Sequence, residues 1–326
     1  MTLPLSILVA AHNEDAFIAE ALRSVFAQDV AEAEIVVVDD GSHDDTAQVV
    51  TALMGEAPVG IDIRLLRRSE NCGLANARNA ALAEARGDVI ILLDADDRFE
   101  GGAIARLRAR LDSDADARLV FPRYRWMAQD GTMLAHGSPI PNGTVDASAI
   151  LRGNPIHSDS GVTLRRSDLL AIGGFDKALA GYVGADAWIR FALSHPPGAM
   201  VQEADALVHY RRHGSQITAD WTRMRRNWLV LSDKLEKDHT AAIGPIRKQA
   251  NAANALFCAH LAYKSGDYRD ARALLWEALA TDPALLFNSE TQVRMLACGA
   301  SLLPPSLHDR LRERFGPAAT DTPPPG

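Results

Sequence analysis

The sequence predicts an α/β protein whose mostly parallel sheet carries helices on both faces and is followed by a small all-helical region. Two observations support this fold class. Short apolar runs alternate with amphipathic stretches between Leu5 and Arg86, and the strand patterns end near Arg212, after which only helical patterns follow. Strand-helix alternation favours parallel strands, because each helix carries the chain back across one face of the sheet.

The elements of the predicted parallel sheet follow one another regularly. Each strand is an apolar run typical of burial on both faces, and each helix is amphipathic. Asp44 or Asp45 is the expected N-cap of the second helix. Ligands of such sheets lie beyond the carboxyl ends of the strands, where we therefore look for chemistry. The predicted strands are Leu5–Ala10, Ile35–Val38, Ile61–Leu66 and Val89–Leu93, and the helices are Glu14–Ala27, Thr46–Met54 and Leu74–Arg86.

The pattern becomes less regular after Leu119. A hairpin is predicted around Asp130-Gly131, and Val162–Arg165 and Met200–Val208 are further strand candidates. Residues 259–283 resemble one tetratricopeptide-type helical hairpin. A solenoid needs several such copies, so we expect a helix pair packed on the preceding domain rather than a peptide-binding array. The final DTPPPG predicts a disordered tail.

Composition excludes several classes of protein. The chain has 326 residues and a net charge of -8, which argues against nucleic acid as a partner because phosphate backbones bind clustered Lys and Arg. The cysteines form no CxxC pair, so we expect buried thiols in a reducing cytoplasm rather than disulfides or a zinc site. No segment is long and apolar enough to span a bilayer, and the sequence shows no basic region or cleavage site ahead of the first strand, so we expect no signal peptide. We expect a cytoplasmic protein, with peripheral attachment to the inner face of the membrane left open. The cysteines are Cys72, Cys258 and Cys298.

The strongest functional signal is a buried strand that ends in Asp94, Ala95, Asp96 and Asp97. Two like charges about 4 Å apart repel by about 4 kcal/mol at an effective dielectric constant near ~20. A divalent cation removes that cost, and carboxylate oxygens suit Mg²⁺ or Mn²⁺. Such a cation can also bridge a diphosphate. Alone, the pattern describes a solvated acidic turn or a helix cap better than a metal site.

Polar residues also follow the neighbouring strands. Asp40 after the second strand can accept hydrogen bonds from a base N–H or from ribose hydroxyls. The backbone after Ala10 and the side chain of Glu14 lie at the end of the first strand. Arg78, in a helix entered through Gly73, can meet a diphosphate or a sugar, with a surface salt bridge as the alternative.

The ordered series SILVAAHNE, VVVDDGSHDDT, NCGLANARNAAL and GDVIILLDADD resembles glycosyltransferase family 2, whose members have the GT-A fold. The later segments VTLRRSDLLAIGGFD and VHYRRHGSQIT are similar to downstream parts of the same family. The ordered series is far more specific than any single motif. We therefore divide the chain into a GT-A (Rossmann-like) domain over 1–216, a helical region over 217–316 and a disordered tail over 317–326.

The resemblance implies that the donor is a nucleotide-sugar, with a UDP-sugar as the first expectation, and that the cofactor is Mn²⁺ or Mg²⁺. It places Ala10, Glu14 and Asp40 around the nucleoside. The expected donor-binding residues are Ala10, Glu14, Asp40, Arg78, Asp94 and Ala95, and the expected metal-binding residues are Asp94, Asp96, Asp97 and His213.

One motif departs from the family pattern. Its members carry a Glu-Asp pair just before a helix with a Trp-x-Arg pattern, and that Asp is the general base. Here the segment reads GYVGADAWIRFAL. Alignment on Trp188 and Arg190 without a gap puts Val183 and Gly184 at the pair, which leaves Asp186 as a secondary position.

A two-residue deletion would instead make Asp186 itself the base. We take Asp186 as the first candidate for this role, with Asp159 or His157 of NPIHSDSG as the alternative.

The predicted reaction is transfer of a sugar, with inversion, to a carbohydrate or lipid-linked acceptor in the synthesis of surface polysaccharides or glycans. A carboxylate takes the proton of the attacking hydroxyl. One alternative is a catalytically inactive relative that binds nucleotide-sugar or acts as a scaffold. A Rossmann-type oxidoreductase is disfavoured because no GxGxxG follows the first strand.

A basic and aromatic stretch, DWTRMRRNW, allows two interpretations. Trp221, Met224 and Trp228 have helical spacing with arginines between them, which suits the surface of an anionic bilayer. A helix that packs the same tryptophans onto the GT-A domain is the favoured interpretation.

Overall fold

The computed structural model describes residues 5–137, 145–214, 216, 220–287, 291–292 and 295, without the side chains of 135 and 136. Contacts divide the chain into two compact units, Met1–Ile150 with Asn154–His213, and Leu151–Gly153 with Gly214–Gly326. The sequence placed a boundary after residue 216. The predicted tail, 317–326, and Cys298 lie outside the described residues.

The first unit begins with four parallel strands and three intervening helices, as predicted. The strands lie in the order β3-β2-β1-β4. The first helix begins four residues later than predicted, because Phe17 and Ile18 donate their N–H groups to the Glu14 carbonyl in a turn. The elements are β1 Leu5–Ala11, α1 Ile18–Phe26, β2 Ala33–Asp39, α2 Thr46–Met54, β3 Ile61–Arg67, α3 Leu74–Glu84 and β4 Val89–Asp94.

The remaining strands of the described residues extend this sheet on the β4 side in the order β8-β6-β9-β5, with β7 paired to β6. β8 is antiparallel to β4 and β6, and the predicted hairpin is formed by β6 and β7. The elements are β5 Arg98–Phe99, α4 Ala103–Ser113, β6 Leu119–Ala128, β7 Met133–Gly137, α5 Ala147–Gly153, β8 Thr163–Arg165, α6 Arg166–Ala171, α7 Val183–Ser194 and β9 Met200–Arg212.

Strand register brings the polar ends of the parallel strands to one edge. Ala10 of β1 lies opposite Asp94 of β4, and Ala11 lies opposite Asp39 of β2. The strands themselves form the core, since Ile7 and Ile91 are fully buried, and each such side chain stabilises the fold by about 1.5–3 kcal/mol. The core therefore fixes the positions of the carboxylates that follow it.

The second unit is helical in its described part, with α8 Trp221–Asp238, α9 Thr240–Lys264, α10 Tyr268–Thr281 and a 3-10 turn at Pro283–Phe287. The predicted helical hairpin corresponds to the end of α9 and to α10, which pack together. Met224 and Trp228 are buried within this unit, and Trp228 Nε1 donates to Asn251. The contact with Asn251 places the partner of Trp228 in the second unit rather than in the GT-A domain that was expected. No helix in the described part of the chain is both long and apolar enough to cross a membrane.

The two described cysteines differ in exposure. Cys258 is buried, as expected, whereas Cys72 is exposed. The expectation was wrong for Cys72 because it lies in the loop before α3, outside the core.

Candidate active site

Three acidic side chains separate at the end of β4, where the chain reads Asp94, Ala95, Asp96 and Asp97. The Asp97 N–H donates to the Asp94 carbonyl at 3.1 Å in a tight turn. As a result Asp94, Asp96 and Asp97 each meet different partners. The turn spreads charges that would otherwise lie side by side.

Asp94 faces a buried arginine from α3. Arg78 Nη2 donates to Asp94 Oδ1 at 2.6 Å, and its Nη1 donates to Asp159 Oδ2 at 2.5 Å. The guanidinium also lies 5.4 Å from the ring centre of Phe175. Burial alone would lower the pKa of Arg78, but Asp159 and Asp94 hold it above its usual value. Burial raises the pKa of Asp94, and Arg78 opposes that rise.

Asp96 meets the predicted histidine. Its Oδ2 lies 2.9 Å from His213 Nε2, and the His213 ring lies 4.9 Å from that of Phe17. The Asp96 carbonyl accepts from Arg211 Nε at 2.8 Å. Arg211 is almost fully buried and also donates its backbone N–H to Asp97. The structure therefore brings Asp96 and His213 together. Arg211 holds the turn from Asp94 to Asp97 through its hydrogen bonds to Asp96 and Asp97.

Asp97 faces inward. Its carboxylate accepts from Ser160 Oγ at 2.6 Å, from Ser158 Oγ at 3.0 Å and from the Arg211 N–H at 2.9 Å. Burial, followed by the charges of Asp96 and Asp94, raises its pKa well above the usual value. Both oxygens are thus bonded within the protein, so the structure places Asp97 as a support of the turn.

Glu14 adds a further carboxyl group beside Asp94 and Asp96. Burial first, then Asp96 and Asp94, raise its pKa from 4.5 to about 8. Its Oε2 is buried and has no hydrogen-bond partner among the described residues. No three His, Cys, Asp or Glu side chains in the described ranges lie close enough to hold a metal ion by themselves. Even so, the buried Glu14 Oε2, close to Asp94 and Asp96, is the kind of oxygen that a hard divalent cation accepts as a ligand.

Asp40 anchors the loop before α3. Its Oδ2 accepts from the backbone N–H groups of Gly73 at 2.7 Å and Cys72 at 3.1 Å. Gly73 has a φ of 92°, which favours glycine. The other two predicted donor-binding positions are alanines, one in β1 and one in the turn after β4. Ala10 is half-buried in β1, whereas the side chain of Ala95 packs into the hydrophobic core.

The first candidate for the base lies inside α7. Asp186 is fully buried, and its Oδ2 accepts from Arg190 Nε at 2.8 Å and Nη2 at 2.6 Å. Arg190 also donates to the carbonyls of Gly174 and Ile172. The structure therefore places Asp186 in an internal ion pair.

The alternative candidates lie in the segment before β8. Asp159 Oδ1 accepts from Trp188 Nε1 at 2.8 Å, so this carboxylate joins Arg78 and Asp94 in one group. His157 stacks on Tyr124 at 5.1 Å, and its Nδ1 lies 2.7 Å from the Asn154 carbonyl. Burial lowers the pKa of His157.

The sequence of residues 6–173 matches the family described as Glycosyl transferase family 2. This chain belongs to glycosyltransferase family 2. It is 29% identical over 202 residues to an uncharacterized protein of Mycobacterium tuberculosis, covering 58% of this chain and 62% of that protein. It is 35% identical over 127 residues to the succinoglycan biosynthesis protein ExoO of Rhizobium meliloti, covering 39% of this chain and 35% of that protein. The matched part therefore spans less than two thirds of each of these relatives.

Solved structures share the GT-A fold predicted for the family 2 chain. A mannosyltransferase of Pyrobaculum calidifontis in complex with GDP-Man and Mn²⁺ has a TM-score of 0.61 at 19% identity, covering 97% of this chain and 88% of that one. TarS of S. aureus in complex with UDP-GlcNAc has a TM-score of 0.56 at 17% identity, covering 86% and 91%.

Three residues of the family 2 site escaped the sequence analysis. Arg211, Trp188 and Phe175 contact site carboxylates or Arg78, yet none was singled out as a site residue. Their contacts cross between elements far apart in the chain, which hydrophobic periodicity does not report. The only local hint in the sequence was the pair of serines on either side of Asp159, Ser158 and Ser160. Both donate hydrogen bonds to Asp97.

Proposed function

We propose that this family 2 chain transfers a sugar from a nucleotide-sugar, in first place a UDP-sugar, to a carbohydrate or lipid-linked acceptor with inversion. The observation that carries the proposal is the group of Glu14, Asp94 and Asp96 at the shared edge of β1 and β4. The pKa of Glu14 is raised to about 8 first by burial and then by repulsion from Asp96 and Asp94. A cation with a diphosphate would relieve that repulsion.

Asp94 and Asp96, with His213 beside Asp96, would hold Mn²⁺ or Mg²⁺ together with the bound donor, since no three side chains of the described residues suffice by themselves. When bound, the cation supplies positive charge to the diphosphate as the leaving group. Arg211 keeps the backbone of Asp96 in place, and Arg78 orients Asp94. Asp40 would shape the nucleoside-binding part of the site by holding the loop at residues 72–73. Its carboxylate accepts hydrogen bonds from the two backbone N–H groups of that loop.

Four of the compared proteins support the donor and acceptor classes. One structural neighbour is in complex with GDP-Man and Mn²⁺ and another with UDP-GlcNAc. Relatives named for synthesis of succinoglycan and of teichuronic acid favour an acceptor in surface polysaccharide synthesis. The inactive-relative alternative draws its support from Val183 and Gly184 at the expected Glu-Asp pair.

Calorimetry of UDP binding with Mn²⁺ tests the metal part of the proposal. We expect EDTA and Asp96→Ala to weaken UDP affinity by a similar factor, because both remove the link between protein and diphosphate. Asp112→Ala, an exposed partner of Arg108 on α4, serves as the control and should bind UDP normally. Tight UDP binding that ignores EDTA would contradict the proposed metal site.

A further inference from the structure

The glycine at the start of α7 leaves room for a carboxylate from elsewhere in the chain. A Cβ atom added at Gly184 would lie 2.1 Å from Asp159 Oδ1 and 2.2 Å from Oδ2, closer than any real contact. The carboxylate of Asp159 thus occupies the volume into which a side chain at position 184 would project. Any residue other than glycine at 184 would displace it.

Two donors hold this carboxylate in a fixed orientation. Trp188 Nε1 binds Oδ1 at 2.8 Å and Arg78 Nη1 binds Oδ2 at 2.5 Å. Each carboxylate oxygen has two acceptor sites, so a further hydrogen bond can be accepted at either oxygen. The side chain of Asp159 remains 17% exposed, which allows a hydroxyl to reach it.

Asp159 also lies beside the proposed metal-binding carboxylates. Arg78 donates to Asp159 and to Asp94 from the two terminal nitrogens of one guanidinium. The group that would receive a proton and the group that would hold the leaving diphosphate are therefore coupled through one rigid, buried cation. Such pre-organisation is what a transfer site requires.

Local backbone strain occurs on both segments that meet here. His157 and Tyr182 both have a φ of 55°, in the left-handed region that is costly for such residues. His157 lies two positions before Asp159, and Tyr182 lies two positions before Gly184. Strain of this kind persists where the surrounding structure requires the conformation.

The other two candidates have geometry that suits different roles. Asp186 is fully buried in its ion pair with Arg190, so an acceptor cannot reach it without disrupting α7. His157 lies against Tyr124, and its Nδ1 faces the Asn154 carbonyl.

We propose that Asp159 is the general base of this chain, a carboxylate supplied by the segment before β8 in the space left by Gly184. The inference rests on the proposed function. In the reaction the acceptor oxygen forms a bond to the anomeric carbon, and the bond from that carbon to the phosphate oxygen breaks with its electron pair leaving on the diphosphate. The hydroxyl proton passes to the Asp159 carboxylate.

Transposition of the carboxylate tests the inference. Asp159→Asn should lower kcat by about 10²–10⁴-fold, the usual effect of removing a base, with UDP affinity changed much less. Gly184→Ala should lower kcat by about 10²-fold by pushing Asp159 out of place. The double variant Asp159→Gly with Gly184→Asp returns a carboxylate to the same volume, and kcat should recover to within about tenfold of wild type.

A matched control separates these effects from loss of an ion pair. Asp168 of α6 is 16% exposed and lies 3.8 Å from Arg118, and α6 starts beside Asp88 at the opposite end of β4 from Asp94. Asp168→Asn should keep kcat within about twofold, as expected for a partly exposed pair outside the site. Thermal unfolding and UDP titration of every variant show whether it is folded.

The outcomes are distinct. Low kcat in folded, UDP-binding Asp159→Asn, together with recovery in the double variant, supports the inference. Near-normal kcat in Asp159→Asn, or a folded double variant that binds UDP but stays as slow as Asp159→Asn, overturns it while wild-type turnover still supports the proposed function. A wild-type enzyme with no turnover on any donor overturns both, because a base then has no reaction to serve.

Discussion

Replacement of Arg78 by methionine should lower the free energy of unfolding far more than replacement of an arginine in an exposed ion pair. The Arg78 side chain is 4% exposed and is shared by Asp94 and Asp159, whose side chains are 29% and 17% exposed. Removing one partner of a buried ion pair costs about 3–5 kcal/mol, because the remaining charges stay desolvated and unpaired. Methionine keeps much of the packing against Phe175. Since water reaches Asp94, we expect a loss near the lower end, about 3 kcal/mol.

Urea unfolding of wild type and Arg78→Met measures this loss. Arg23→Met provides the control, because Arg23 and Glu56 form an ion pair whose side chains are 56% and 50% exposed. An exposed pair contributes about 0–1 kcal/mol. The cost of Arg78→Met should also shrink in acid, where protonation removes the unpaired charges. A loss no larger than that of Arg23→Met, or one that does not change with pH, would refute the role given to Arg78.

Two further predictions concern Glu14 and Trp228. Burial, with Asp96 and Asp94, raises the pKa of Glu14 from 4.5 to about 8. Metal-free wild type should therefore lose stability relative to Glu14→Gln as the pH rises from 4.5 to 8, and should lose no more above pH 8. A stability difference that does not change with pH would contradict this. Trp228 is 4% exposed, so Trp228→Ala should lower the unfolding free energy by about 3–5 kcal/mol in denaturant. Wild type should not co-float with anionic liposomes at low salt, and co-flotation that Trp228→Ala abolishes would favour the bilayer interpretation.

The parallel half of the sheet could be predicted from the sequence because β1, β2 and β4 are buried on both faces. The same burial was expected of β3, and this was wrong, because β3 lies at the end of the strand order and exposes Asp62 and Arg67. Short continuous apolar runs such as Val89–Leu93 are typical of parallel strands that are covered on both faces. Helix α2 was predicted with its observed bounds, Thr46–Met54. The two-residue strand β5, Arg98–Phe99, is too short to carry a pattern and is defined by its pairing with β9.

Only the site residues that directly follow the carboxyl ends of parallel strands could be predicted from the sequence. Asp94, Asp96 and Asp40 lie at the shared edge because strand register forces them there. The contact of Asp159 with Gly184 depends on how the segment before β8 meets α7, which no local periodicity encodes. Glu14 was expected near the nucleoside, and only the structure shows that Asp96 and Asp94 act on its charge.

Release of nucleoside diphosphate from a panel of nucleotide-sugars, with Mn²⁺ or Mg²⁺ and an oligosaccharide acceptor mixture, tests the central claim most directly. We predict that wild type releases UDP from at least one UDP-sugar, that EDTA abolishes the release, and that Asp96→Ala is inactive. The product should carry the configuration opposite to that of the donor. Binding of a nucleotide-sugar without transfer or hydrolysis of any donor in the panel would contradict the claim and favour an inactive relative.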